Sequence, residues 1–492
     1  MNSWIDRRRS AVLLHVTSLP GPFHKGVLGM EARQFIDAIA AAGFSVWQFL
    51  PLGPTHGHGS PYESLSAFAG NPELIDLREC VKQGWLDQAS LAGCDSAQCQ
   101  SELLDKTGSA FWNDLDNNPR LAELLEDFQH RNRHWLIDYS LFTALKRNMQ
   151  DRAWWQWPEA LRDRDEEAIA TARQQHASLI KQVIFEQFLF DHQWQVLKIY
   201  AESRQVQLFG DLPIYVAHDS ADVWTNRQYF TVNEIGLCTQ VAGVPPDYFS
   251  ETGQRWGNPQ YRWDIIEQRG FDWWIKRVKC QLDRMHMMRI DHFRGLEAFW
   301  SIPAESEDGI IGTWVDAPGY ALLQRLKNEL GNLPLIAEDL GIITDEVTEL
   351  RETFELPGMK ILQFAFGGDE NNPYLPANHI ENCVVYTGTH DNDTTMGWFG
   401  SADENTKKNM LHKLPDASPE DMPWALIECA LTSHARLAVI PMQDLLELDS
   451  EARFNTPGTL ENNWSWRLQK IPEPSASCWL RSRQLNRKYL RS

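Results

Sequence analysis

The sequence is short of what would tie it to a nucleic acid, a membrane, a metal or an oxidising compartment. Its 492 residues carry 46 Lys and Arg against 67 Asp and Glu, a formal net charge of −21. A surface of that sign repels phosphate backbones and anionic lipids, so neither is the expected partner. No run of roughly eighteen apolar residues occurs. The start, MNSWIDRRRSAVLLHV, reaches polar residues too soon for a signal peptide. The expectation is a soluble cytoplasmic protein. The eight cysteines (Cys80, Cys94, Cys99, Cys238, Cys280, Cys383, Cys429 and Cys478) include no CxxC spacing and no nearby paired histidines. That pattern predicts reduced thiols, with neither a zinc site nor a disulfide framework. His56 and His58 are separated by a glycine without a carboxylate at ligand spacing, and read as part of a flexible loop. Phosphate loops and dinucleotide fingerprints are also missing, so no cofactor is expected.

What is present is tryptophan, 21 copies of it. Most will fill core, but flat apolar rings also suit sugar faces, so the excess leans towards carbohydrate. Along the chain, AVLLHVTSLPG (11–21) and VWQFLPLGPT (46–55) read as strands around the amphipathic helix 31–44, a unit that implies a parallel sheet. From about 80 to 200 the periodicity is helical, with charge-rich stretches such as RDRDEE (162–167) as solvated faces. Strands resume at 207–224, and further apolar runs follow at 287–293, 333–341, 360–367, 382–391 and 437–446. Eight strands with intervening helices predict a (β/α)₈ TIM barrel, whose active groups lie at the carboxyl ends of its strands. The expected division is residues 1–80 as the first part of the barrel, 81–200 as a mostly helical insertion, and 201–492 as the rest. That last part includes a long loop at 236–263 over the carboxyl face and an appended C-terminal loop and helix. A Gly/Pro-rich loop of that length with Tyr248, Phe249 and Trp256 reads as an ordered cover over a binding cleft.

The chemistry concentrates in MMRIDHFRG (287–295). An apolar run closing on a cation and an acid reads as a strand ending at a site, because bare charge inside a sheet is costly. Alternate side chains of a strand share a face, so Arg289 and Asp291 point the same way, and the guanidinium should hold Asp291 ionised, as a nucleophile requires. A structural ion pair would give the same local pattern. Two later runs repeat the design, with Glu338 and Asp339 in LPLIAEDLG and His390, Asp391 and Asp393 in CVVYTGTHDNDT. Three acids at one barrel mouth without metal-ligand spacing suit glycosidic bond chemistry. Asp291 is the expected nucleophile. Glu338 is the expected acid/base, because the apolar residues before it favour its protonated form, although Asp339 could exchange roles with it. Asp391, nearer its strand than Asp393, is assigned to sugar hydroxyls and ring distortion. Tyr62, beside Pro61 at a strand's carboxyl end, is placed to stack on a ligand, and Asp211 closes the third strand.

The stretches SPYESLSAFAGNP, GDLPIYVAHDSADVW, AGVPPDYFSETGQRWGNPQYRW, MRIDHFRG, IAEDLG and THDND, in this order over about residues 10–470, resemble those of the amylomaltases, the 4-α-glucanotransferases of the α-amylase superfamily. The resemblance implies Asp291 as nucleophile, Glu338 rather than Asp339 as acid/base, and Asp391 as transition-state stabiliser. It further implies that Tyr62, Asp211, Arg289 and His390 line the donor sugar site, that the loop with Tyr248, Phe249 and Trp256 arches over the glucan, and that Asn455 lies on the acceptor side. In QDLLELDSEARFNTPGT the residues Glu447 and Asp449 stand where glycines would be expected. The implied activity is disproportionation of α-1,4-glucans, with malto-oligosaccharides, longer α-1,4-glucans and glucose as partners. A retaining α-glucan hydrolase would use the same acids, and a silent glucan-binding protein would keep the same barrel.

Overall fold

A computed structural model describes residues 7–246, 250–414, 417–459 and 461–492. Twelve strands form among them: β1 (Arg9–Leu13), β2 (Val46–Gln48), β3 (Gln207–Leu212), β4 (Gln240–Val244), β5 (Gln254–Pro259), β6 (Met287–Ile290), β7 (Ala298–Pro303), β8 (Thr313–Asp316), β9 (Leu335–Ala337), β10 (Gly358–Ile361), β11 (Cys383–Tyr386) and β12 (Leu437–Pro441). Eight of them make one all-parallel sheet in the order β10-β11-β12-β1-β2-β3-β6-β9. The ends of that order meet where Ala337 N–H donates to the Pro357 carbonyl at 2.9 Å. The result is the expected (β/α)₈ barrel.

Most barrel strands are apolar on both faces, as a parallel sheet covered by helices requires. Ala11, Leu13, Val46, Phe209, Met287, Ile336, Met359, Ile361, Val384, Tyr386, Leu437 and Val439 fill the interior as one cluster. The alternate residues Val12, Trp47, Leu208, Met288, Leu335, Ala337, Val385, Ala438 and Ile440 pack outwards in the larger core. Outer helices include Met30–Ala41, Ala177–Ser203, Asp272–Arg284, Gly319–Leu330, Asp345–Thr353 and Trp424–Thr432. Between β10 and β11 only the short turns Leu362–Phe364 and Pro376–Asn378 intervene. Helices Ala97–Leu115, Pro119–Asn132, Leu136–Asn148 and Glu166–Gln175 precede the long helix that enters β3. No helix among the described residues is long and apolar enough to cross a membrane.

Three sequence expectations need correction. The stretch 236–263 is not a loop throughout, because β4 and β5 lie within it and join β7 and β8 in an antiparallel sheet ordered β5-β4-β7-β8. Its glycines misled the reading. Gly243 sits at a register shift in β4, and a Cβ there would lie 2.1 Å from the Gln254 carbonyl oxygen, so the residue marks a bulge within a strand. Reduced thiols fail at Cys94 and Cys99, which form a disulfide with Cα atoms 5.5 Å apart. They stand five positions apart across the start of helix Ala97–Leu115, which brings the two Cα atoms within bridging range. The C-terminal tail is more than an appendage. Its helix Ser477–Lys488 braces the first strand and helix, with Ser10 Oγ donating to Asn486 Oδ1 at 2.7 Å and Arg483 Nε donating to the Ala41 carbonyl at 2.6 Å.

Candidate active site

The barrel ladder continues through the acidic residues themselves. Asp291 N–H donates to the Leu212 carbonyl at 3.0 Å, and Glu338 N–H donates to the Ile290 carbonyl at 3.1 Å. Both backbones are thus fixed by rigid strand ends, as a site that must hold its geometry requires. Strand parity does the rest. Asp211 pairs with Arg289 across β3 and β6, and inward positions then recur at Asp291 after Arg289 and at Glu338 after Ile336. Asp339 turns outwards, where it accepts from Met359 N–H at 2.7 Å and faces Arg351 at 3.5 Å. Asp393 likewise turns away, accepting from Thr394 N–H and from Ser450 Oγ.

Arg289 ties the acids together. Its Nε and Nη2 donate to the two Asp211 oxygens at 2.9 and 2.6 Å, and Nη2 also reaches Asp291 Oδ1 and Tyr62 Oη, each at 2.9 Å. Tyr62 Oη donates to Asp211 Oδ2 at 2.6 Å, lies 2.9 Å from His390 Nε2, and its ring stacks on His390 with centroids 5.3 Å apart. His390 Nε2 is 3.3 Å from Asp391 Oδ1, which accepts from Asn455 Nδ2 at 2.6 Å. Glu338 Oε2 accepts from His292 N–H at 2.7 Å, the amide immediately after Asp291. His292 itself is held in the left-handed region, at φ 54°, and its ring meets Trp256 edge to face at 4.8 Å. Tyr62, Asp211, Arg289, Asp291, Glu338, His390, Asp391 and Asn455 therefore form one connected group, with Trp256 joined to it through His292. Tyr248 and Phe249 lie outside the described residues.

Burial sets the protonation of this group. Burial raises Asp291 well above the usual carboxylate range and Arg289 opposes the rise, while Asp211, Glu338 and Asp391 add to it. The expectation that Arg289 alone keeps Asp291 ionised is therefore too simple, because the guanidinium is shared with Asp211. Burial also pushes Glu338 up to about 7, against the pull of Arg289 and the His292 amide. Two acids this close titrate as a pair. The proton stays where the anion lacks a cation in contact, and that is Glu338. Asp291 has its Arg289 hydrogen bond, and its side chain remains 32% exposed to the cleft. His390 is pushed down by burial and is neutral, and burial also raises Tyr62, which keeps its proton. Among the described residues no group of three or more His, Cys, Asp or Glu is placed to hold a metal ion.

Against known proteins, the profile of a family described as 4-alpha-glucanotransferase matches residues 14–472. The chain belongs to that family. Curated 4-alpha-glucanotransferases from Thermus thermophilus and Synechocystis are 48% and 45% identical to it over 474 and 477 residues, covering 94% of this chain and 95% and 94% of theirs. An amylomaltase from Streptococcus agalactiae, solved in complex with acarbose, superposes with a TM-score of 0.94 at 33% identity, covering 99% of this chain and 100% of its own. This 4-α-glucanotransferase is accordingly a retaining enzyme that transfers α-1,4-glucan segments.

Sequence reasoning overlooked two residues that the 4-α-glucanotransferase fold brings to the site. Trp464 packs against Tyr62, His390 and Phe454, with centroids 5.9, 6.1 and 5.6 Å away. Arg453 donates to the carbonyls of Asp391 at 2.6 Å and Asn455 at 2.8 Å. Both lie in irregular chain after β12, where no periodicity marks them. The one available signal was the aromatic content of NNWSW. Of the two residues read as standing in for glycine, Glu447 does adopt φ 58° and its carboxylate accepts from Trp424 Nε1 at 2.7 Å. Asp449 has an ordinary φ of −86° and needs no glycine.

Proposed function

We propose that Asp291 is the nucleophile of this transferase, Glu338 its acid/base and Asp391 its transition-state stabiliser. The carboxylate of Asp291 attacks the anomeric carbon of a donor glucan and the glycosidic C–O bond breaks. Glu338 gives its proton to the departing oxygen. The 4-hydroxyl of a second glucan then attacks the glycosyl ester, loses its proton to Glu338, and frees Asp291. The observation that carries this division of labour is the asymmetry of contacts. Asp291 has a guanidinium at 2.9 Å, whereas Glu338 accepts from the neutral His292 amide, pairs with no cation among the described residues, and is raised to about 7 by burial. Asp391, held by Asn455 and beside His390, is positioned for sugar hydroxyls.

Tyr62, Asp211, Arg289 and His390 would line the donor sugar, and Trp256, with Tyr248 and Phe249, would cover it. Covering the cleft favours transfer, because an oriented hydroxyl competes with water only where water is kept out. Asn455 would serve the acceptor side. Malto-oligosaccharides, α-1,4-glucans and glucose are the proposed partners, and residues 81–200 are proposed as an insertion in the catalytic barrel. Incubation with maltotriose tests the reading. Glucose and a ladder of longer maltodextrins are expected, with Asp291→Asn and Glu338→Gln both losing the ladder. Glucose and maltose alone would make the enzyme a hydrolase, and an active Glu338→Gln protein would remove Glu338 from the chemistry.

A further inference from the structure

Beyond the cleft, one aromatic side chain is displayed rather than packed. Trp314 lies on β8, the edge strand of the antiparallel sheet, and all four residues of that strand are exposed. Its indole is 41% exposed, and Ile310 and Ile311 before it and Ile342 on another loop are exposed as well. Large apolar groups displayed together mark ligand or partner surfaces more often than chance.

The ring is braced from beneath. The Arg294 guanidinium carbon lies 3.8 Å from its centroid, and the Trp300 ring meets it at 5.3 Å and 62°. Trp300 is itself fixed by donating Nε1 to the Gly309 carbonyl at 2.9 Å, and Gly312 lets the turn close over it, since a Cβ there would lie 2.4 Å from the Trp300 ring. A guanidinium over the ring holds the indole in place, and the residue remains 41% exposed.

Arg294 also links this platform to the site. It stands three residues past Asp291, is itself buried, and donates Nη1 to the carbonyl of Ile342 at 2.6 Å, four residues past Glu338. Trp314 is therefore connected, through Arg294, to the loops that follow both acids.

We propose that the outward face of Trp314, braced by Arg294, is a distal subsite that stacks on a glucose ring of a long α-1,4-glucan bound in the cleft. The inference rests on the proposed roles of Asp291 and Glu338, which put the glucan beside the loops that Arg294 joins to Trp314. An indole face offers apolar contact to the C–H face of a sugar ring and asks for no charge. The acids Glu307, Asp308 and Asp316 around it suit a neutral polysaccharide better than an anionic one.

The test compares wild type, Trp314→Ala and Trp314→Phe on maltotriose, whose few rings are expected to be held at the acids, and on long-chain amylose. Trp314→Ala should raise KM for amylose about fivefold, the loss of one modest aromatic contact. It should leave kcat/KM for maltotriose within about twofold, and Trp314→Phe should recover most of the loss. Should the alanine protein fail to fold, Trp314→Thr, a good strand former, repeats the comparison. An unchanged amylose KM, or equal losses on both substrates, would overturn the subsite. A change in oligomeric state with Trp314→Ala and no change on amylose would make the patch a protein contact instead. A wild type that produces no ladder from maltotriose would instead bring down the reading of the acids, and the subsite with it.

Discussion

The protonation of Glu338 can be measured without any substrate, through the stability of the fold. Burial lifts its carboxyl from 4.5 to about 7. Each tenfold change in acid strength is worth about 1.4 kcal/mol, so ionising the buried group costs the folded enzyme up to about 3 kcal/mol. The direction follows from proton binding. A carboxyl with a raised native value binds its proton more tightly when folded, so its contribution is complete below 4.5 and lost as pH climbs through about 7. Glu338→Gln has no proton to lose. Its stability relative to wild type should therefore grow between pH 4.5 and pH 8, by up to about 3 kcal/mol. Coupling adds to this effect, since removing one negative charge also eases ionisation of Asp291. The His292 amide opposes it, but a single such hydrogen bond is worth about 1 kcal/mol net. Urea unfolding of both proteins at pH 5 and pH 8 gives the comparison. The same carboxyl should set the alkaline limb of wild-type kcat/KM near 7, and the glutamine variant should lose about a hundredfold to ten-thousandfold in kcat. A stability gap that is equal at both pH values would refute the argument, whatever the activity, because it would mean that Glu338 ionises in the native cleft as freely as in water.

Arg289→Ala should strip Asp211, fully buried as a side chain, of its bidentate partner. About 3 to 5 kcal/mol of unfolding free energy should be lost, and a loss below about 1 kcal/mol would show that the network rearranges. Asp339→Ala should leave kcat/KM on maltotriose within about twofold of wild type while costing about 1 to 3 kcal/mol in urea unfolding, because it orphans the Met359 amide and takes one of two carboxylates from Arg351. A catalytic collapse would return Asp339 to contention as the acid. Asn455→Ala removes a 2.6 Å hydrogen bond to Asp391 Oδ1 and should lower kcat/KM about tenfold with little change in urea midpoint. Unaltered kinetics would place Asn455 outside the reaction.

The barrel was legible because its signal is redundant. Each parallel strand is buried on both faces and so reads as a continuous apolar run, and helices of clear period separate most of the runs. The second sheet lacked that redundancy. Its strands carry Gly243 at a bulge and Pro259 at a strand end, and β8 is wholly exposed, so its hydropathy does not repeat one pattern from strand to strand. The Cys94–Cys99 bridge depends on a local turn that spacing alone does not fix.

The site shows the limit of the same signal. Arg289 and Asp291 could be assigned to one face because a charge inside an apolar run announces which face opens to a cavity. The neighbouring run Leu335, Ile336, Ala337 offers no such mark. With Leu335 and Ala337 packed outwards and Ile336 inwards, inside and outside are chemically alike, and a strand shifted by one residue would have presented Asp339 in place of Glu338. What decides the parity is the ladder between β6 and β9, which pairs Arg289 with Ile336 and so carries the inward assignment from the charged strand to the uncharged one. That information is a relation between two strands 46 residues apart, from His292 to Glu338 across the bond that joins them, and neither strand contains it alone. The contact between Asn455 and Asp391, 64 residues apart, had no strand at all to carry it. A residue's place in such a site is thus readable from sequence to the extent that a regular element with chemically distinct faces delivers it.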